Sequence, residues 1–294
     1  MFTLALMLWM AAAQAEQPAP AAQYQLAYPY PSRDGATVVF QGNFDGRWQL
    51  YEMKAADGTI RRLHVSPGDD THPALSPDGK QLAFISNRDG NDDVWLLDFA
   101  SGTARAVAPH PGKDGHPKWS PDGRRLVFNR TFDPSDKGGD GDSAIVQAMV
   151  SGGSVEVLSD TPRVETFASF SPDGGSIALV EWFPDKGGER NRNGEIMVVD
   201  LATKARRNLT NSPEFDAYPF WGPSGTIYFS TVLETPAGRK AILSRVRSAG
   251  GPVERLGAPD GPSEMRAIPA PDERSIWLNR MDGRRVLIFR RELP

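Results

Sequence analysis

The chain of 294 residues contains no cysteine, which excludes disulfides, thiol nucleophiles and a lipid-bearing cysteine. Histidine is scarce, four in all, so a histidine-rich metal centre has little to draw on. Positive charge is not in excess: 33 Lys and Arg against 37 Asp and Glu give a formal net charge of −4. A general nucleic-acid binder would need a basic footprint instead. After residue 15 no apolar run is long enough for a membrane-spanning helix. No segment sustains a 3.6-residue apolar period, so almost no helix is expected. Gly-x-Ser-x-Gly, the phosphate-cradling glycine loop and His-Glu-x-x-His are also missing.

Glycine and proline are abundant, at 29 and 25, and predict many turns. The first fifteen residues, MFTLALMLWMAAAQA, are uncharged and mostly apolar, ending in the small-x-small pattern Ala13-Gln14-Ala15. That pattern predicts a signal peptide at 1–15 and an exported, periplasmic protein, although no Lys or Arg opens it. Residues 16–27 begin as a Pro/Ala-rich tether, and part of them could supply a closing strand. Residues 28–294 are expected to form one domain.

Repetition organises that domain. SPDG occurs at Ser76–Gly79, Ser120–Gly123 and Ser171–Gly174, with degraded copies at Ser32–Gly35, Gly222–Gly225 and Ala270–Glu273. The third positions, Asp34, Asp78, Asp122, Asp173, Ser224 and Asp272, are 44, 44, 51, 51 and 48 residues apart. Each copy is followed by an alternating apolar strand, a second turn and a third strand. In all but the last copy a short fourth strand follows. Period-two alternation between Gly, Pro and Asp punctuation is a hairpin signal. Six such units predict an all-β, six-bladed β-propeller of four-stranded antiparallel blades. A lone four-stranded sheet leaves two apolar faces uncovered, and a ring of blades buries both. The last repeat stops after its third strand, so Ala21–Ala27 could close that blade from the N-terminus, or it could remain three-stranded.

The unit HPALSPDG…LAFISNRDGNDDVWLLD, from His72 to Asp98, resembles the WD-repeat-like propeller repeat of the TolB family. The resemblance extends over the whole repeat region, without the α/β domain that precedes the propeller in TolB. It implies binding of a protein or peptide segment of the cell envelope, in the setting of a Tol-Pal-like system. The same repeat also occurs in propellers attached to peptidases and in some metal-using lyases, so it specifies fold more tightly than function.

Two features fall on the propeller face that carries the start of each inner strand. Eight residues before the turn position stand Asp70, Asp114, Glu165, Asp216 and Glu264, with Leu26 in the first repeat. Such a ring could attract a cation, Ca²⁺ included, or a basic peptide. It could equally hold strand ends by local hydrogen bonds. Two residues beyond their acids stand His72 and His116, with Phe167 and Tyr218 at the matching later positions. The pair could ligate a transition metal, whereas the aromatic equivalents point to a stacking position. The second feature is a pair of long inter-strand loops, Thr131 to Ala144 and Trp182 to Glu195, both containing Asp-Lys-Gly-Gly. They contribute Asp136, Asp140, Asp142 and Asp185 as candidate ligand contacts, without the spacing of an EF-hand. The expectation is a monomeric binding or scaffold module without a catalytic residue, an assigned metal, a nucleic-acid partner or a membrane span. The alternative is a metal-dependent, lyase-like carbohydrate-active enzyme at the channel mouth.

Overall fold

The structure, a computed structural model, describes residues 24–132, 143–184, 192–283 and 285–294. Residues 1–15 of the expected signal peptide, most of the tether, and Asp136, Asp140, Asp142 and Asp185 lie outside the described residues. Six antiparallel sheets succeed one another along the chain, and no helix occurs among the described residues. Five sheets have four strands in simple sequential order; the sixth has three. The inner strands are Leu26–Pro31, Asp70–Leu75, Asp114–Trp119, Glu165–Phe170, Phe215–Trp221 and Glu264–Pro269. Each touches the next, and the last returns to the first, which closes the ring.

The SPDG turn explains why that tetrapeptide recurs. In the second blade Ser76 Oγ donates to Asp78 Oδ1 at 2.7 Å and accepts from the Gln81 amide at 2.9 Å. The Lys80 amide donates to Asp78 Oδ1 at 3.1 Å, and Gly79 takes a φ of +70°, where a side chain would be strained. The same serine–aspartate bond forms at Ser32, Ser120 and Ser171. These turns set the register of the first hairpin in each blade.

The core lies between blades. Val38, Phe40 and Met53 of blade one pack with Trp277 and Ile288 of blade six, joining the two ends of the described chain. Asn279 adds a polar suture there: its Oδ1 accepts from the Tyr28 amide at 3.1 Å and its Nδ2 donates to the Leu26 carbonyl at 3.2 Å. Leu26 and Ala27, grouped by the sequence with the leading segment, pair with Gly42 and Gln41 as the start of blade one's inner strand. They are therefore not available to the outer edge of blade six.

Blade five carries a raised hairpin. Thr226–Thr235 pairs with Gly238–Arg247 along ten residues each, so the hairpin rises above the ring as a continuous ladder. Blade four rises similarly, with Ser176–Pro184 paired to Arg192–Asp200.

Candidate functional site

The acids begin the inner strands, as the repeat predicted, but their side chains are buried. Asp70, Glu165, Asp216 and Glu264 are at most 2% exposed and Asp114 5%. Four of the five meet arginine. Arg88 Nη2 reaches both oxygens of Asp70 at 3.1 and 3.2 Å. Arg130 grips Asp114 through Nε at 2.7 Å and Nη2 at 2.9 Å. Arg206 bridges Glu165 and Glu181, and Arg280 and Arg291 flank Glu264. Asp216 instead accepts from Thr231 Oγ1 at 2.6 Å, and burial pushes its carboxyl up to about 7. Where Leu26 replaces the acid, its cross-strand partner is Gly42, so blade one omits both halves of the pair. In blades two to six the buried carboxylates thus tie the first strand to other parts of the same blade. That geometry favours the structural reading of the ring over an open cation funnel.

The third position of every inner strand is different. Tyr28, His72, His116, Phe167, Tyr218 and Arg266 all have φ between 52° and 58°. At the same point each inner strand slips register against its partner. A bulge re-aims a side chain, and a left-handed backbone at an aromatic residue is costly enough to need support from its surroundings. Support comes from the preceding blade at three positions. The His72 amide donates to Gln41 Oε1 at 2.8 Å, that of Tyr28 to Asn279 and that of Arg266 to Ser230 Oγ at 3.0 Å.

The six side chains form a closed ring in the channel. Tyr28–His72, His72–His116, His116–Phe167 and Phe167–Tyr218 have ring centroids 4.2, 4.2, 4.3 and 4.3 Å apart. Arg266 completes the circle, its guanidinium carbon 4.7 Å from the Tyr218 centroid and 4.3 Å from that of Tyr28. The stacking position suggested by Phe167 and Tyr218 is therefore occupied in all six blades. Two members escaped the sequence reading: Tyr28, because its repeat lacks the acid, and Arg266, because it breaks the aromatic pattern. Counting two residues past Leu26 and Glu264 would have found both.

Burial sets the chemistry of this ring. It holds the His116 imidazole down to about 3 and that of His72 well below the ordinary range, so both are neutral at pH 7. It raises the Tyr28 and Tyr30 hydroxyls above their ordinary value. His116 Nδ1 lies 3.1 Å from Asn129 Oδ1 and His72 Nδ1 3.0 Å from Thr71 Oγ1. Among the described residues no group of three or more His, Cys, Asp or Glu is placed to hold a metal ion. Deeper in the channel Tyr30 meets Phe220 edge-on at 5.9 Å, and Lys118 Nζ stands 5.8 Å from the Tyr30 ring. A small cavity adjoins both levels and is lined by Tyr28, His116, Lys118, Phe167, Tyr218 and Arg266, with neighbouring prolines and Phe220. Burial brings the Lys118 ammonium down to about 8.

Residues 64–187 match the model of the TolB beta propeller domain. That match covers less than half of the chain, from blade two into blade four. Solved structures agree at the level of fold. TolB from Acinetobacter baumannii superposes with a TM-score of 0.67 at 20% identity, covering 96% of this chain and 64% of that one. This chain therefore spans less than two thirds of that protein. A structure assigned to TolB from Agrobacterium tumefaciens gives 0.68 at 19% identity, over 92% and 90% of the two chains. An oligogalacturonate lyase in complex with manganese gives 0.63 at 16% identity, over 92% and 90%. No curated protein matches the sequence. In this propeller the two histidines of the lyase-like alternative are packed edge-to-face within the channel ring, which does not favour that alternative.

Proposed function

We propose that the protein is a periplasmic binding module that captures an extended protein segment on its upper face, where the inner strands begin. The observation that carries this reading is the distribution of exposed apolar side chains. Six large ones are exposed among the described residues: Phe44, Val65, Phe132, Met149, Val157 and Met281. Four of them, Phe44, Val65, Phe132 and Met281, sit in loops or hairpin tips of that one face. Apolar groups gathered on one side of a soluble fold suit a protein partner. The raised hairpins of blades four and five give the face a wall against which an extended segment could lie. The likeness to TolB supports the same class of function, and a place in a Tol-Pal-like assembly extends that analogy. Export rests on the N-terminal fifteen residues, and no helix among the described residues is long and apolar enough to cross a membrane.

A photo-crosslinking residue placed at Phe132 tests the proposal, with Met149 on the opposite face as control. The expected result is an adduct from Phe132 alone, to a peptide that binds the purified protein when synthesised and loses affinity when Phe44 and Phe132 become serine. Equal adducts from both faces, or none, would refute it.

A further inference from the structure

Among the described residues, the channel lining contains two cations and no carboxylate. Arg266 donates one side-chain hydrogen bond, from Nη2 to Tyr218 Oη at 3.0 Å, and its Nε is buried without a partner. Lys118 Nζ has only the neighbouring Pro117 carbonyl, at 3.2 Å. Neither has an acidic group within ion-pair distance among the described residues, although fourteen other Arg and Lys side chains of this acidic protein do. The acids on the same inner strands, Asp114 and Glu264, are already held by Arg130 and by Arg280 with Arg291. His72 and His116 are neutral, so they neither balance nor add to the charge. An enclosed cation without a counter-charge is costly, and such groups are paired when they serve packing alone. Tyrosine occupies the same ring position in blades one and five and phenylalanine in blade four. The fold therefore does not require a guanidinium there.

We propose that the central channel is a carboxylate-binding site, in which Arg266 and Lys118 receive the anion and Tyr28 and Tyr218 flank it. A planar carboxylate matches a guanidinium held between aromatic faces. A tetrahedral oxyanion calls for several donors converging from different sides, and the remaining lining is largely apolar: Phe167, Phe220, Ile268 and three prolines. The carboxylate can come from a free organic acid or from the end of an inserted peptide. The proposal goes beyond the upper-face docking surface and does not depend on it.

Isothermal titration of the purified protein at low salt and pH 7 tests this with succinate, a short peptide ending in a free carboxylate, the same peptide amidated, and inorganic phosphate. Binding of succinate assigns the site to a free acid. Binding of the free peptide but not the amide assigns it to a chain end. In either case affinity should fall at least tenfold in Arg266→Met and in Lys118→Met, and phosphate should bind more weakly. Lys118→Met keeps the test open should Arg266→Met fail to fold. The proposal is overturned if no carboxylate binds, if binding survives both substitutions, or if phosphate and the amide bind equally well.

Discussion

Asp216 is the exception in the acid ring, and its substitution gives the sharpest test of the electrostatics. The side chain is 1% exposed. Its described hydrogen bond comes from Thr231 Oγ1, which also contacts Ser244 Oγ at 2.9 Å. No guanidinium lies within ion-pair distance among the described residues, in contrast to the other four acids. Burial, reinforced by Glu195 and opposed by the Thr231 bond, moves the carboxyl from 3.8 to about 7. At 1.36 kcal/mol per unit, the ionised form is disfavoured in the native state by on the order of 4 kcal/mol. Because the native value is the higher one, the neutral carboxyl contributes stability that is full below about 4 and lost as pH rises through 7. Asp216→Asn keeps the shape and removes the titration. It should stabilise the protein at pH 8 by a few kcal/mol, about 5 °C or more in Tm. Between pH 8 and pH 5 that advantage should shrink by about 2.5 kcal/mol. Thermal and urea unfolding of both proteins at the two pH values measure the gap. A gap that does not change with pH, or an Asn variant less stable than the parent at pH 8, would refute the assignment of a buried, unpaired carboxylate.

Three further outcomes follow from the acids and the channel ring. Arg130→Met strands the Asp114 carboxylate in the protein interior and should cost about 3 kcal/mol or more at pH 8, read from the urea midpoint; excess Ca²⁺ should leave the parent Tm unchanged, and a rise abolished by Asp114→Asn would restore the cation reading of the ring. His116→Phe copies Phe167 one blade further on, and it should shift acid unfolding to lower pH. The native imidazole resists protonation down to about 3, so the parent loses on the order of 2 kcal/mol between pH 6.5 and 5, while the variant loses nothing from this position. An unchanged acid midpoint would show that His116 does not control that loss.

The repeat by itself determined the number of blades, their strand order and the turns that separate the first two strands. Those features are local: Ser76, Asp78 and Gly79 close their turn with atoms within six residues of one another, so the tetrapeptide carries the whole instruction. The sequence also aligned the acids and, two residues on, His72, His116, Phe167 and Tyr218. It could not decide where those side chains point, because direction depends on the bulge at the third position, and the bulge is stabilised partly by groups such as Gln41 and Ser230 in the preceding blade. The acids meet arginines from other parts of their own blade, whereas only the closed ring turns the third residues toward one another. Tyr28 meets Arg266 at 4.3 Å across 238 residues of sequence. Whether a half-buried cation has a counter-charge is likewise a property of everything around it, and no spacing along the chain records that Arg266 and Lys118 have none among the described residues.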